Sequence, residues 1–538
     1  MPTFAPNVIF RHMAALAVLG MVALQAGQAG AVGQVTAFKQ AVAETASRED
    51  ALATYYRSTD FAGLWTGNSA EDRARREALF LTIDEAAMHG LAPERYDAPG
   101  LMRMLEEART PRDLGRAEVE MSRVFLLLSR DLQHGILVPS RVDDGIKREV
   151  PKTDPAATLA EFTRSNPRAF LRALPPKTAE YGRLMREKAR LERRLGAGGW
   201  GPTVPAGTLE PGASGPAVVA LRNRLTLMGF LPRSASQTYD ARMQQAVQEF
   251  QAAHGLVVDG TAGAATMAAI NRPVEDWLKP VLVAMERERW LNIDRGDRHI
   301  LVNITDFSAR IVDKDKVTFE TRAVVGANSH DRRTPEFSDE MEHMVINPYW
   351  HVPRSIVVKE YLPQMQRNRG AAGHIQLYNA SGQPVNRANI NFGAYNARTF
   401  PFEMKQAPSA RNALGLVKFM FPNKYNIYLH DTPSKDLFNR SKRDFSHGCI
   451  RLQQPFDFAY ALLARQEADP VGYFQRILKT GRNTQVDLKE KVPVHIIYRT
   501  AYTRAKGPTQ YRDDVYGRDA RIWEALSQAG VSLRAVQG

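Results

Sequence analysis

From about residue 36 to 195, apolar side chains recur at spacings of three and four. Segments such as Arg73 to Met88 and Arg116 to Leu132 keep that period, which predicts amphipathic helices packed on one another. His89 and His134 each precede a glycine at an expected helix end, which favours capping over catalysis. The run GAGGWGPTVPAGTLEPGASG, residues 196–215, carries too much glycine and proline for either period and predicts a boundary. Beyond it, Val218, Leu221, Leu225 and Met228 line one helix face that Gly229 ends, and Met243, Val247 and Phe250 line a second. Asp259-Gly260 then marks a turn before a short third helix. From His299 the period shortens to two. HILVNITDFSARIVDKDKVTFETRAVVG, MEHMVINPYWHV, NKYNIYLHDT, FSHGCIRL and VPVHIIYRT all read as short strands. Between them, residues 354–413 form a polar insertion rich in glycine and asparagine, too long for an ordinary connection and suited to a lid or binding flap.

The expected fold class is multidomain α+β. A helical scaffold domain covers 36–200, a compact three-helix module 205–275, and a mostly-β domain 280–500 with a lid at about 355–412. Residues 501–538 read as a tail of surface helix and loop. The first 31 residues stand apart: Arg11 and His12 precede an uncharged run from Met13 to Leu24, and Ala29-Gly30-Ala31 offers a small-residue cleavage site. At about 12 residues the run is shorter than the roughly 20 a spanning helix needs, so a cleaved export signal and a periplasmic mature chain are expected.

Export changes the meaning of composition. The formal charge of +14 suits an anionic surface or polymer, and outside the cytoplasm nucleic acid is not the expected partner. It also isolates Cys449, the one cysteine of 538 residues, because exported proteins generally use cysteines in pairs. A single thiol there is a buried inert group, an intermolecular bridge or a reactive nucleophile.

The surroundings favour the last reading. If residues 446–452 are extended, His447, Cys449 and Arg451 share a face while Ile450 and Leu452 point to a core. A thiol needs a base, and in NIYLHDT the residues Tyr428 and His430 share a face with Ile427 and Leu429 on the other. His430 lies 19 positions before Cys449, a spacing that suits neighbouring strands. Residues paired across strands approach about 4.5–5.5 Å at Cβ, closer than next-nearest residues along one strand, so His430 is the expected base and His447 an orienting or structural group. Gly448 lets backbone and substrate approach closely and frees nearby N–H groups for an oxyanion. Arg451 suits a carboxylate. His430, His447 and Cys449 are a set of residue types able to ligate zinc, but neither a C-x-x-C nor an H-E-x-x-H pair accompanies them, so no metal is expected.

His430, fifteen residues, then Ser446-His447-Gly448-Cys449-Ile450-Arg451 resembles the signature of the L,D-transpeptidase catalytic domain. Asn412–Pro433 and Ile346–Ile356 resemble the large Gram-negative subtype, which joins a helical scaffold, a peptidoglycan-binding module and a lid-bearing catalytic domain. Phe250-Gln251, Gly255-Leu256, Val258-Asp259-Gly260, Gly263 and Thr266 resemble the marks of that small peptidoglycan-binding domain, with a helical spacer that binds nothing as the alternative, since these are mainly turn and core positions. Smaller members often carry asparagine where Arg451 stands.

The resemblance implies that Cys449 attacks a tetrapeptide stem, releases the terminal D-alanine and leaves a thioester. His430 acts as the base, and a second stem's amine resolves the thioester into a crosslink between third residues. It implies oxyanion stabilisation near Gly448 and Cys449 with Tyr428, and a third catalytic member among Asp431, Thr432 and Ser446. It implies no cofactor, acylation of Cys449 by carbapenems, and cell-wall synthesis proteins as partners. Carboxypeptidase, protein-attachment and non-catalytic wall-binding roles remain alternatives.

Overall fold

The computed structural model describes residues 37–205 and 207–537, and the expected export signal lies outside them. Helices dominate as far as Trp290. Strands follow in the order β1 Arg298–Asn303, β2 Ser308–Asp313, β3 Lys316–Gly326, β4 Phe337–Ile346, β5 Trp350–His351, β6 Gln376–Tyr378, β7 Pro384–Val385, β8 Glu403–Gln406, β9 Val417–Met420, β10 Leu429–His430, β11 Asp444–Ser446, β12 Ile450–Leu452, β13 Thr484–Ile497, β14 Ala501–Tyr502 and β15 Gln510–Tyr511.

The scaffold helices begin where their sequences supply caps. Ser69 with Asp72, and Thr110 with Asp113, form reciprocal capping boxes ahead of helices Ala70–Glu85 and Pro111–His134. The apolar faces close over Tyr56, Trp65, Phe125 and Phe162, all fully buried. In the three-helix module, Gln251 explains why its motif takes the form it does. Its amide donates to Asp259 Oδ1 (2.7 Å), Thr261 O (2.9 Å) and Thr266 Oγ1 (3.1 Å) and accepts from Gly260 N–H (2.9 Å). One buried side chain thereby fixes the whole V-D-G-T turn.

Two parts of the chain join the helical core against expectation. Helix Glu275–Trp290 is buried over almost all of its last fourteen residues and packs on helix Ala179–Gly196, so it belongs to the scaffold side although it overlaps the range assigned to the β domain. The segment after residue 500 is not a surface tail. Its hairpin β14–β15 and helix Arg518–Gln528 add Ala501, Ile522 and Leu526 to the same core. These apolar residues repeat at helical spacing, but a short amphipathic helix looks alike on a surface and on a core.

The β domain is a closed ring. β12, β10, β9, β4, β13, β1 and β2 follow one another through paired edges, and the long β3 pairs with β2 along Lys316–Arg322 and with β12 at Ala323–Val324. Closure leaves the eight strands without free edges, and Val302, Met344, Phe419, Leu429, Ile450 and Ile496 fill the inside. The insertion forms its own small sheet, β5-β8-β6-β7, over a separate cluster that includes Val357, Leu362, Leu377 and Met404.

Candidate active site

FSHGCIRL is not one continuous strand. β11 ends at Ser446, residues 447–449 bend, and β12 begins at Ile450. Gly448 makes the bend with φ of 114°, where an L side chain is strained. Ser446 Oγ closes it by donating to Cys449 O (2.5 Å) and accepting from Gly448 N–H (3.1 Å). Beneath it, the fully buried Thr334 accepts from Gly326 N–H (2.9 Å) and donates from Oγ1 to Gly448 O (2.7 Å). Of the two amides expected near an oxyanion, that of Gly448 is therefore already engaged, and that of Cys449 has no acceptor among the described residues.

The bend also separates His447 from the face it was expected to share. Its Nε2 lies 2.6 Å from Glu360 Oε1 on the insertion. Glu360 also accepts from Arg332 Nη2 (2.7 Å), and beside it Lys359 pairs with Asp331 (2.7 Å). His447 thus fastens the insertion to the Cys449 turn. Tyr428 completes the contact between them, packing against both the ring's core and the lid's.

The expected base lies in the middle of three strands. In the register, His430 stands opposite Lys418 of β9 on one side and Arg451 of β12 on the other, while Leu429 stands opposite Phe419 and Ile450. Alternation turns the second row inward and the first outward. One step earlier, Ile450 N–H donates to Tyr428 O (3.1 Å), which brings Tyr428 alongside Cys449. His430 is consequently diagonal to Cys449 rather than directly opposite it. The thiol donates to Asn426 O at 3.5 Å, and no hydrogen bond joins it to the His430 ring.

His430 Nδ1 donates to the main-chain carbonyl of Asp431 at 2.5 Å. A carbonyl can only accept, so the proton sits on Nδ1 and Nε2 keeps its lone pair. Among the three candidates for an orienting group, it is this Asp431 carbonyl that touches the imidazole. The Asp431 carboxylate is occupied elsewhere, by Leu416 N–H (2.9 Å), Thr432 N–H (2.7 Å) and Lys435 Nζ (2.6 Å). Burial, then the charge of Arg451 and more weakly those of Lys418 and Lys435, hold His430 down to about 3 against the pull of the Asp431 carbonyl. Although part of Cys449 remains open to solvent, burial pushes its thiol up to about 11 against hydrogen bonding at Tyr428 and the charges of Arg451 and Lys418. The arrangement is a neutral thiol near a neutral imidazole, suited to proton transfer during attack rather than to a standing ion pair.

Among the described residues, no group of three or more His, Cys, Asp or Glu side chains is arranged to hold a metal ion. Residues 297–496 match the family model described as the L,D-transpeptidase catalytic domain. The chain carries an L,D-transpeptidase domain. Residues 50–187 match a model described as "Scaffold domain" and residues 214–270 one described as "Putative peptidoglycan binding domain". A curated Haemophilus influenzae protein named "Putative L,D-transpeptidase" is 30% identical over 242 residues, which are 45% of this chain and 48% of that protein. The aligned part therefore spans about half of that relative's length. A crystal structure of the L,D-transpeptidase from Xylanimonas cellulosilytica covers 55% of this chain and 98% of its own at 15% identity, with a TM-score of 0.17 that adds nothing to the fold argument.

The L,D-transpeptidase domain ends within β13, yet its Cys449 turn makes bonds to residues beyond it. Arg518 Nη2 donates to Thr334 O (3.1 Å), Arg518 Nη1 to Glu336 (3.1 Å), and Tyr516 OH to Gly326 O (2.5 Å). Sequence reading missed Glu360, Lys418, Thr334 and Asn426. Lys418 alone left a signal, as a charge between Val417 and Phe419 in a strand whose alternation sets it on the face of His430.

Proposed function

We propose that this protein is a cysteine L,D-transpeptidase acting on peptidoglycan stem peptides outside the cytoplasm. The observation that carries the reading is the row Lys418, His430, Arg451 beside Tyr428 and Cys449, with the His430 tautomer held by the Asp431 carbonyl. His430 Nε2 takes the thiol proton as the sulfur attacks the carbonyl preceding a terminal D-alanine, and the Cys449 N–H steadies the oxyanion. The amine of D-alanine leaves with a proton from the imidazole, giving a thioester. A second stem's side-chain amine then attacks the thioester, and the thiol is regenerated as a new amide forms between third residues. Arg451 and Tyr428 bind the donor, the lid covers it, and residues 214–270 hold the polymer. Cell-wall synthesis proteins are the expected partners.

Muropeptide analysis after incubation with tetrapeptide stems tests this reading. Crosslinked dimers with released D-alanine are expected, and none with Cys449→Ala. Released D-alanine without dimers would replace it with a carboxypeptidase, and transfer to a protein lysine with an attachment enzyme. A carbapenem adduct that disappears in Cys449→Ala is expected by intact mass. Absence of both adduct and turnover would leave only a wall-binding role.

A further inference from the structure

Two cations flank Cys449 with no anionic side chain paired to either among the described residues. Neighbouring cations of the same domain are paired: Arg310 with Asp306 (2.8 Å), Lys435 with Asp431 (2.6 Å) and Arg332 with Glu360 (2.7 Å). The side chains of Lys418 and Arg451 make no hydrogen bond or ion pair among the described residues. Lys418 holds its Nζ 5.9 Å from the centre of the Tyr428 ring, and Arg451 Nε is sealed from solvent with no acceptor. The register sets them on either side of His430, so about two strand spacings, or roughly 10 Å, separate their backbones. Removing cations from water is costly unless an anion compensates, and the negative form of Cys449 is an opposing charge that acts on both. A row built this way is incomplete until an anion enters it.

We propose that Lys418 is a specificity-determining residue which, with Arg451, clamps the free α-carboxylate of the amino acid that leaves. This rests on the acyl-transfer reading above. Chemistry selects that carboxylate over others on the stem: it is one carbon removed from the scissile nitrogen, so it stays within one strand spacing of the sulfur. The side-chain carboxylate of a diamino acid at the third position is several bonds further away. The clamp makes the enzyme select a terminal acid rather than an amide or an extended chain.

Two measurements on the full chain separate this inference from the function it rests on. The first is the ratio of Cys449 alkylation rates by iodoacetate and by iodoacetamide, followed by intact mass, against a short cysteine peptide. The wild type is expected to exceed the peptide's ratio by about tenfold or more, Lys418→Met to lose most of that excess, and Lys418→Arg to keep it. A wild-type ratio equal to the peptide's overturns the clamp. The second is turnover of stem peptides ending in D-alanine or D-alaninamide. The acid is expected to have a KM about tenfold or more lower, with the difference removed in Lys418→Met. Equal turnover of acid and amide by the wild type overturns the assignment to the leaving group. A raised alkylation ratio with neither stem turned over supports the anion site and overturns the transpeptidase reading.

Discussion

Replacing Thr334 with valine keeps the shape of a fully buried side chain and removes one oxygen. That oxygen accepts from Gly326 N–H at 2.9 Å and donates to Gly448 O at 2.7 Å. The substitution leaves two buried main-chain groups unpaired, each costing about 1–3 kcal/mol, for a total near 2–6 kcal/mol. In a cooperative unit of about 200 residues this lowers Tm by roughly 4–24 °C. The second effect falls on the proposed nucleophile, because Gly448 O anchors the bend beneath Cys449. Loss of positional control of about 1 Å costs on the order of 100-fold in rate, so carbapenem acylation measured by intact mass at 20 °C, well below the melting range, should slow by at least tenfold. Thr334→Ser retains the hydroxyl and should restore most of the rate while showing a smaller stability loss from the missing methyl. Acylation at the wild-type rate in Thr334→Val, with Tm lowered as expected, would show that the Thr334 bond stabilises the fold without positioning the sulfur.

Other consequences follow from the same contacts. Glu360→Gln weakens the grip on His447 and Arg332, and hydrogen exchange across residues 355–412 should speed up severalfold while the ring strands stay protected; unchanged exchange would mean that the lid is held by its apolar contacts alone. Arg518→Met strands the buried Glu336 carboxylate with one fewer cation and should cost about 3–5 kcal/mol, read as a denaturation midpoint. Because His430 and His495 are both held down to about 3 in the folded chain, the unfolded chain binds more protons below about pH 6.5, and stability should fall as pH drops from there. Each contributes a slope of about 1.4 kcal/mol per pH unit, checked by urea unfolding at a series of pH values. With the thiol pushed up to about 11, iodoacetamide modification of Cys449 should rise close to tenfold per pH unit from 7 to 9, and a plateau by pH 8 would contradict a neutral thiol.

The parts of this molecule that were readable from sequence are those governed by local period. Val218, Leu221 and Leu225 fall on the buried face of a helix because 3.6 residues make a turn, and Leu429 points inward because a strand alternates. His430 and Cys449 could be brought to adjoining strands by the same reasoning, although parallel register moved the imidazole one step along, to face Arg451. The bend at Gly448 was hidden because its cause is a positive φ, which glycine permits and does not announce. Glu360, Thr334 and Arg518 act at sequence separations of 87, 114 and 184 residues, through bonds that no periodicity encodes. The burial of helix Arg518–Gln528 was hidden for a similar reason: its apolar stripe specifies a partner of some kind, and only tertiary structure names helix Glu275–Trp290.

The bonds from Arg518 to Thr334 and Glu336 have a consequence for the order of maturation. Synthesis delivers the chain from its amino end, and all eight ring strands emerge before residue 518. Until that guanidinium arrives, the buried Glu336 carboxylate keeps its ion pair with Arg287, and the Thr334 carbonyl lacks the donor that Arg518 supplies. A chain that stops short of residue 518 therefore holds Cys449, His430 and Thr334 before it holds the Arg518 bond that fixes the turn beneath the thiol.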